Sequence, residues 1–220
     1  YNEGLIWYKA HWFKQVVFGG VGFGLLLLLS FTKLNKMYNS AFALYSLGVA
    51  FLLFLALGGG VESHGAGRWI QLGGFRFQPS EFAKITYILA LGRVLSERKP
   101  SLHNIKDLGV PFVLFIIPFV LILKQPNLST ALSFGAITLS ALYWRGMKLR
   151  ELFLLLSPVI SVVSSVQPLA WNVFIVILSY ILWKGNWGKK LIVFFVLINI
   201  MAGYGSYFVW NKLHNHQRQR

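Results

Sequence analysis

Residues 38–59 read YNSAFALYSLGVAFLLFLALGG, a stretch without one charged side chain. A helix needs about 20 mainly apolar residues to cross the hydrocarbon of a bilayer, where its backbone must satisfy its own N–H and C=O groups. The stretch is therefore read as a transmembrane helix. Working outward, the same pattern predicts seven further spans, at about 13–31, 79–96, 108–124, 129–145, 151–167, 171–184 and 191–210. The 220 residues are 56% hydrophobic and 12% charged, with a mean hydropathy of +0.61, outside the range of an ordinary soluble domain. The expectation is an all-α, polytopic transmembrane helical bundle of about eight spans, forming one membrane domain over residues 1–220.

Charge gives that bundle two ends. The chain carries 21 Lys and Arg against 6 Asp and Glu, a net charge of +15. No basic run sits on a polar module that could read phosphates in sequence, so nucleic acid is not expected as a partner. The positive charge falls between apolar blocks, where anionic headgroups or a lipid diphosphate could meet it. Because Lys and Arg favour cytoplasmic loops, the loops holding Lys33 and Lys36, Arg93 to Lys106, Arg145 to Arg150, and Lys184 to Lys190 are assigned to the cytoplasmic side. Arg68 and His214 then face outside, while Lys99, Lys148 and Lys189 face the cytoplasm. Both chain ends fall outside, and the chain starts without a basic leader. It is read as an internal piece of a longer protein, with an upstream helix before it and an external segment after it.

Other residue classes narrow the chemistry. The chain has no cysteine, which leaves out disulfides and thiolate metal sites. His11, His64, His103, His214 and His216 show no metal-ligand spacing, and no carboxylates cluster for a divalent ion. Pro111, Pro118 and Pro158 lie inside apolar spans and are expected to kink helices whose neighbours re-satisfy the backbone.

Three polar clusters lie on the outer side. The first, GAGRWIQLGGFRF (65–77), is expected to be an interfacial loop folding back into the membrane, with Trp69, Phe75 and Phe77 at headgroup level beside Arg68 and Arg76. In the second, QPSEFAK (78–84), Pro79 suits a helix start, Ser80 can cap it, and Glu81 is favoured near the positive N-terminal end. Glu81 and Lys84 are three residues apart, so they share a face and can pair at the membrane margin. The third, KQPNLSTAL (124–132), reads as a tight turn: Lys124 suits the end of one helix, Pro126 breaks it, and Asn127 or Ser129 caps the next.

At these clusters the chain resembles the SEDS family (shape, elongation, division and sporulation), and within it the RodA branch more than FtsW. The match rests on RWIQLGGFRFQPSEFAK, on KQPNLSTAL, and on the terminal LHNHQRQR, which resembles the approach to the family's large external loop. The resemblance implies a glycosyltransferase that polymerises lipid II into peptidoglycan in the bacterial inner (cytoplasmic) membrane. It also implies a class B penicillin-binding protein and other elongation-complex membrane proteins as partners. It assigns Glu81 and Lys84 as the catalytic pair, and Arg68, Trp69, Gln78, Ser80, Lys124 and Asn127 as substrate-binding residues. A divalent cation, Mg or Mn, is admitted as a cofactor, with no site for it identifiable in this stretch. The family's turn is usually QPDLGTA, so Asn127 and Ser129 depart from it. The last two apolar segments depart as well, as an added helical pair. The acidic residue proposed in the family as catalytic base lies in the external loop beyond QRQR. Two other functions fit the same residues: a flippase for lipid-linked precursors, and an inactive scaffold for the synthase partner.

Overall fold

The computed structural model describes residues 11–63, 66–72, 75–97, 100–102, 105–185 and 187–218. Among the described residues there are eight helices: α1 His11–Ser30, α2 Leu34–Ala56, α3 Pro79–Glu97, α4 Ile105–Leu123, α5 Leu128–Trp144, α6 Leu149–Ser164, α7 Pro168–Lys184 and α8 Lys189–Arg218. They coincide with the eight expected spans. Among the described residues three segments are long and apolar enough to cross a bilayer by length and composition: Leu34–Ala56, Lys106–Leu123 and Lys189–Ser206. Gln15–Ser30, Leu128–Trp144 and Pro168–Lys184 are shorter apolar helices. The architecture is that of a polytopic helical membrane protein.

One local expectation is overturned. In place of the expected re-entrant loop, the described residues between 61 and 77 form a three-stranded antiparallel sheet, with β1 Val61–Ser63, β2 Ala66–Leu72 and β3 Phe75–Phe77 in the order β1-β2-β3. Leu72 pairs with Phe75 and Ile70 with Phe77. In sequence, Gly73 and Gly74 stand between these partners as the signature of a two-residue hairpin. A hairpin satisfies backbone groups at the membrane margin that an irregular loop would leave to lipid.

Helices α2 to α5 pack as a quartet and α6 to α8 as a trio, and α5 against α6 joins them. One apolar cluster runs through both, from Tyr87 and Phe134 to Leu154, Phe174 and Leu178. Helix α1 packs against none of the other described elements. In the quartet, Gly48 lets α2 approach α3: a Cβ there would stand 2.6 Å from Thr86 Oγ1 and 3.3 Å from Ala83 Cα.

The helical prolines show how neighbours repair a broken ladder. Pro118 offers no N–H, so the Leu114 carbonyl loses its donor. Tyr45 of α2 donates its hydroxyl to that carbonyl at 2.9 Å. Pro158 likewise frees the Leu154 carbonyl, which accepts from Ser157 Oγ at 2.7 Å.

Contacts at the helix ends separate the two sides of the bundle. At one end, Arg93 donates to the carbonyls of Tyr38 and Asn39 at 2.9 and 3.1 Å. Arg145 donates to those of Leu95 and Ser96 in the last turn of α3, where helix carbonyls lack an intrahelical partner. Nearby, buried Glu151 accepts from the Leu102 N–H at 3.4 Å, and Arg150 lies over the Trp187 ring at 5.5 Å. These contacts gather the starts of α2, α6 and α8, with Lys33, Lys148 and Lys189, at one end. Arg68 lies at the other. The basic loops thus share one end, as their charge predicts, although Arg98 and Lys99 fall outside the described residues, as do His64 and His103.

Candidate functional site

The end away from the basic loops holds all eight residues singled out in the sequence. Pro79 is the first residue of α3, placing Glu81 in the first turn, where the helix dipole favours a carboxylate. The Glu81 N–H donates to the Gln78 carbonyl at 3.1 Å, so Gln78 stands just ahead of the helix. Ser80 is then the second helical residue rather than its cap, and at 3% exposure it is packed into the bundle. One turn on, Lys84 Nζ lies 2.9 Å from Glu81 Oε1. The expected pair is formed.

Burial separates its partners. The Lys84 side chain is 26% exposed and that of Glu81 57%. An ion pair this open to solvent contributes about 0.2–1 kcal/mol to folding. The pair therefore matters little for stability, and its lysine is the more sheltered of the two charges.

Arg68 and Trp69 belong to β2. Trp69, half-buried, pairs across the sheet with Val61. Phe77 of β3 stacks edge-on to Phe51 of α2 at 5.8 Å between ring centroids, and Phe82 of α3 lies 5.9 Å from Phe51 and 6.3 Å from Phe77. This aromatic triangle seats the sheet on α2 and α3. Arg68 reaches across to the α4–α5 turn, donating from Nε to the Gln125 carbonyl at 3.2 Å and from Nη2 to the Pro126 carbonyl at 2.6 Å.

In that turn Lys124 is exposed and Asn127 half-buried. Asn127 caps α5, its Oδ1 accepting from the Thr130 N–H at 3.2 Å. The capping expected of this residue is present, and it needs no negative charge. Gln125 was not among the sequence's site candidates. It is 6% exposed and donates from Nε2 to the Leu52 carbonyl of α2 at 3.2 Å. The only hint in sequence is its place between Lys124 and Pro126, where an uncharged amide can turn inward while the lysine stays in solvent. Among the described residues no group of three or more His, Asp and Glu could hold a metal ion.

The family model described as cell cycle protein, covering FtsW, RodA and SpoVE, matches residues 7–176. The chain belongs to this family. Among curated relatives it is 29% identical to the peptidoglycan glycosyltransferase MrdB of Escherichia coli, over 70% of this chain and 40% of the relative. It is 33% identical to the probable peptidoglycan glycosyltransferase FtsW of Taylorella equigenitalis, over 72% of this chain and 44% of the relative. The chain thus spans less than half the length of either. Among solved structures, a peptidoglycan synthase complex described as coordinating polymerization and crosslinking is similar with a TM-score of 0.60 and 29% identity, covering 76% of this chain and 50% of that one. A variant of the rod shape determining protein RodA from Thermus thermophilus gives a TM-score of 0.59 and 27% identity, covering 86% and 62%. The matched family residues end inside α7, so α8 lies beyond them.

Proposed function

We propose that the full-length protein is a peptidoglycan glycosyltransferase of the rod-shape elongation machinery, polymerising lipid II in the bacterial inner membrane beside a class B penicillin-binding protein and other elongation-complex membrane proteins. The observation that carries this is Lys84, partly sheltered at one end of the helix bundle and held by Glu81, in a family whose relatives include named peptidoglycan glycosyltransferases. In the transfer, an acceptor hydroxyl oxygen bonds to the anomeric carbon as the bond from that carbon to the lipid diphosphate breaks. The electron pair leaves on the diphosphate, and the hydroxyl proton goes to a carboxylate that we propose for the external loop of the full-length protein. Lys84 is set to stabilise charge growing on the leaving diphosphate, because a cation fixed beforehand needs no reorganisation as the charge develops. Glu81 keeps the ammonium in place. Among the described residues no group of three or more His, Asp and Glu could hold the Mg or Mn admitted as a cofactor.

The test is polymerisation of labelled lipid II by the purified full-length protein without ATP or an ion gradient. Glycan strands are expected, and precursor translocation without strands would replace this reading with a flippase. Complementation separates the branches: rescue of rod shape in cells depleted of RodA is expected, and rescue only of division in cells depleted of FtsW would move the protein to the other branch.

A further inference from the structure

We infer that Gln125 is a positioning residue: with Arg68 it straps strand β2 and the α4–α5 turn to helix α2, and so sets where Lys124 and Asn127 stand relative to the Glu81–Lys84 pair. The inference rests on the proposed reading of that pair.

Gln125 is held from two directions. Its backbone carbonyl accepts from Arg68 Nε at 3.2 Å, while its side-chain amide donates to the Leu52 carbonyl at 3.2 Å. The next carbonyl, Pro126, takes Arg68 Nη2 at 2.6 Å. A planar guanidinium offers donors in a fixed fork, and two successive carbonyls are a fitting target. The turn follows the C-terminal end of α4, where backbone carbonyls concentrate partial negative charge and a cation is favoured. These two Arg68 nitrogens are therefore committed to the backbone of the turn.

Helix α2 is the common reference for both halves of the site. It receives Gln125 through Leu52, and four residues earlier it receives α3 through Gly48, beneath Thr86. The Glu81–Lys84 pair rides on α3, and Lys124 and Asn127 flank the strapped turn. Loosening the strap leaves every charged group present while freeing the turn to shift against α3. A misplacement of about 1 Å in such a site costs on the order of 100-fold in rate, so the strap acts on catalysis through position.

The test uses the full-length protein in lipid nanodiscs, with hydrogen exchange of segments 66–72 and 124–131 read beside lipid II polymerisation. Gln125→Met keeps the length and removes the donor. It is expected to speed exchange in both segments about tenfold and to lower kcat about tenfold, with KM for lipid II changed by less than about twofold. Arg68→Ala added to Gln125→Met should cost less than about twofold more, because both break one strap. Arg68→Gln, which retains amide donors without charge, should recover part of the protection lost in Arg68→Ala. It also reads the strap from its other partner should the Met variant fail to insert. Unchanged exchange in 66–72 on Gln125→Met overturns the inference, as does a rise in KM on Arg68→Gln that multiplies with the Gln125 effect, the signature of a guanidinium on the diphosphate. Exchange needs no turnover, so a wild-type protein that shows the exchange response without making strands sinks the glycosyltransferase reading and leaves the strap standing.

Discussion

The quartet α2–α5 and the trio α6–α8 are both apolar, yet they place their polar groups differently. The quartet keeps charges at its ends: Glu81 and Lys84 with Arg68 at one, Arg93 and Arg145 at the other. Between them its polar contacts are neutral, with Tyr45 on the Leu114 carbonyl and the Tyr87 hydroxyl 2.6 Å from Thr138 Oγ1. The trio also joins its helices through neutral contacts, here linked into one network around Asn199. Asn199 Nδ2 donates to Ser157 Oγ at 2.8 Å, Ser161 Oγ to the Asn199 carbonyl at 2.7 Å, and Trp171 Nε1 to Ser161 Oγ at 2.9 Å, stitching α8, α6 and α7 together. Gly203 admits the Trp171 ring, since a Cβ there would lie 2.5 Å from Nε1. Neutral groups can cross-link helices in hydrocarbon at modest cost, whereas ionised ones are expensive away from the margin and mark function when present. The quartet thus gathers an ion pair and Arg68 at one end, and the trio ties its helices together through a neutral network.

The sharpest way to break that comparison is at the charged end. Glu81→Ala and Lys84→Ala in the full-length protein should each lower lipid II polymerisation by about 100-fold or more, the scale of losing one preorganised charge-stabilising group. Membrane insertion and thermal stability should stay near wild type, because an ion pair whose carboxylate is open to solvent adds little to folding. Normal strand synthesis by Lys84→Ala would take the lysine out of the mechanism.

Gly48→Ala probes the packing that carries the pair. With its new Cβ driven onto Thr86 Oγ1, overpacking should cost about 1–3 kcal/mol in detergent unfolding. Gly48→Ala combined with Thr86→Ala should recover most of that loss. If the double variant is no better than the single one, the α2–α3 contact is not what limits stability there.

In the trio a smaller and different response is expected. Asn199→Leu removes one interhelical hydrogen bond of a kind that averages about 0.6 kcal/mol in membranes. Thermal unfolding should register a loss of that order, with polymerisation changed by less than about twofold. A collapse of activity comparable to that of Lys84→Ala would mean that the trio, too, shapes the site.

Asn127→Asp should do least. Asp and Asn cap helices about equally well, and the Asn127 cap is in place without charge. Polymerisation measured across pH and divalent-ion concentration should stay within about twofold of wild type. A gain of about tenfold, equivalent to about 1.4 kcal/mol of barrier, would show that the family's usual acid contributes through its charge.

The sequence by itself determined the eight helices, the end shared by the basic loops, the Glu81–Lys84 pairing and the Asn127 cap. Each of these depends on short-range periodicity, on loop charge, or on residues three positions apart. The hairpin at 66–77 was partly legible, in the two glycines between Leu72 and Phe75, but aromatic and arginine content suggested a re-entrant loop because hydropathy cannot tell a margin strand from an interfacial coil. Only the tertiary structure decided where Arg68 points. As a sequence feature it is a cation beside a lipid-facing aromatic, and in the fold it donates to carbonyls 57 and 58 residues away. The same holds for Gln125, which meets a carbonyl 73 residues earlier. A hydrogen bond over such a distance depends on how helices pack, and backbone carbonyls leave no mark in the identity of the residues that carry them.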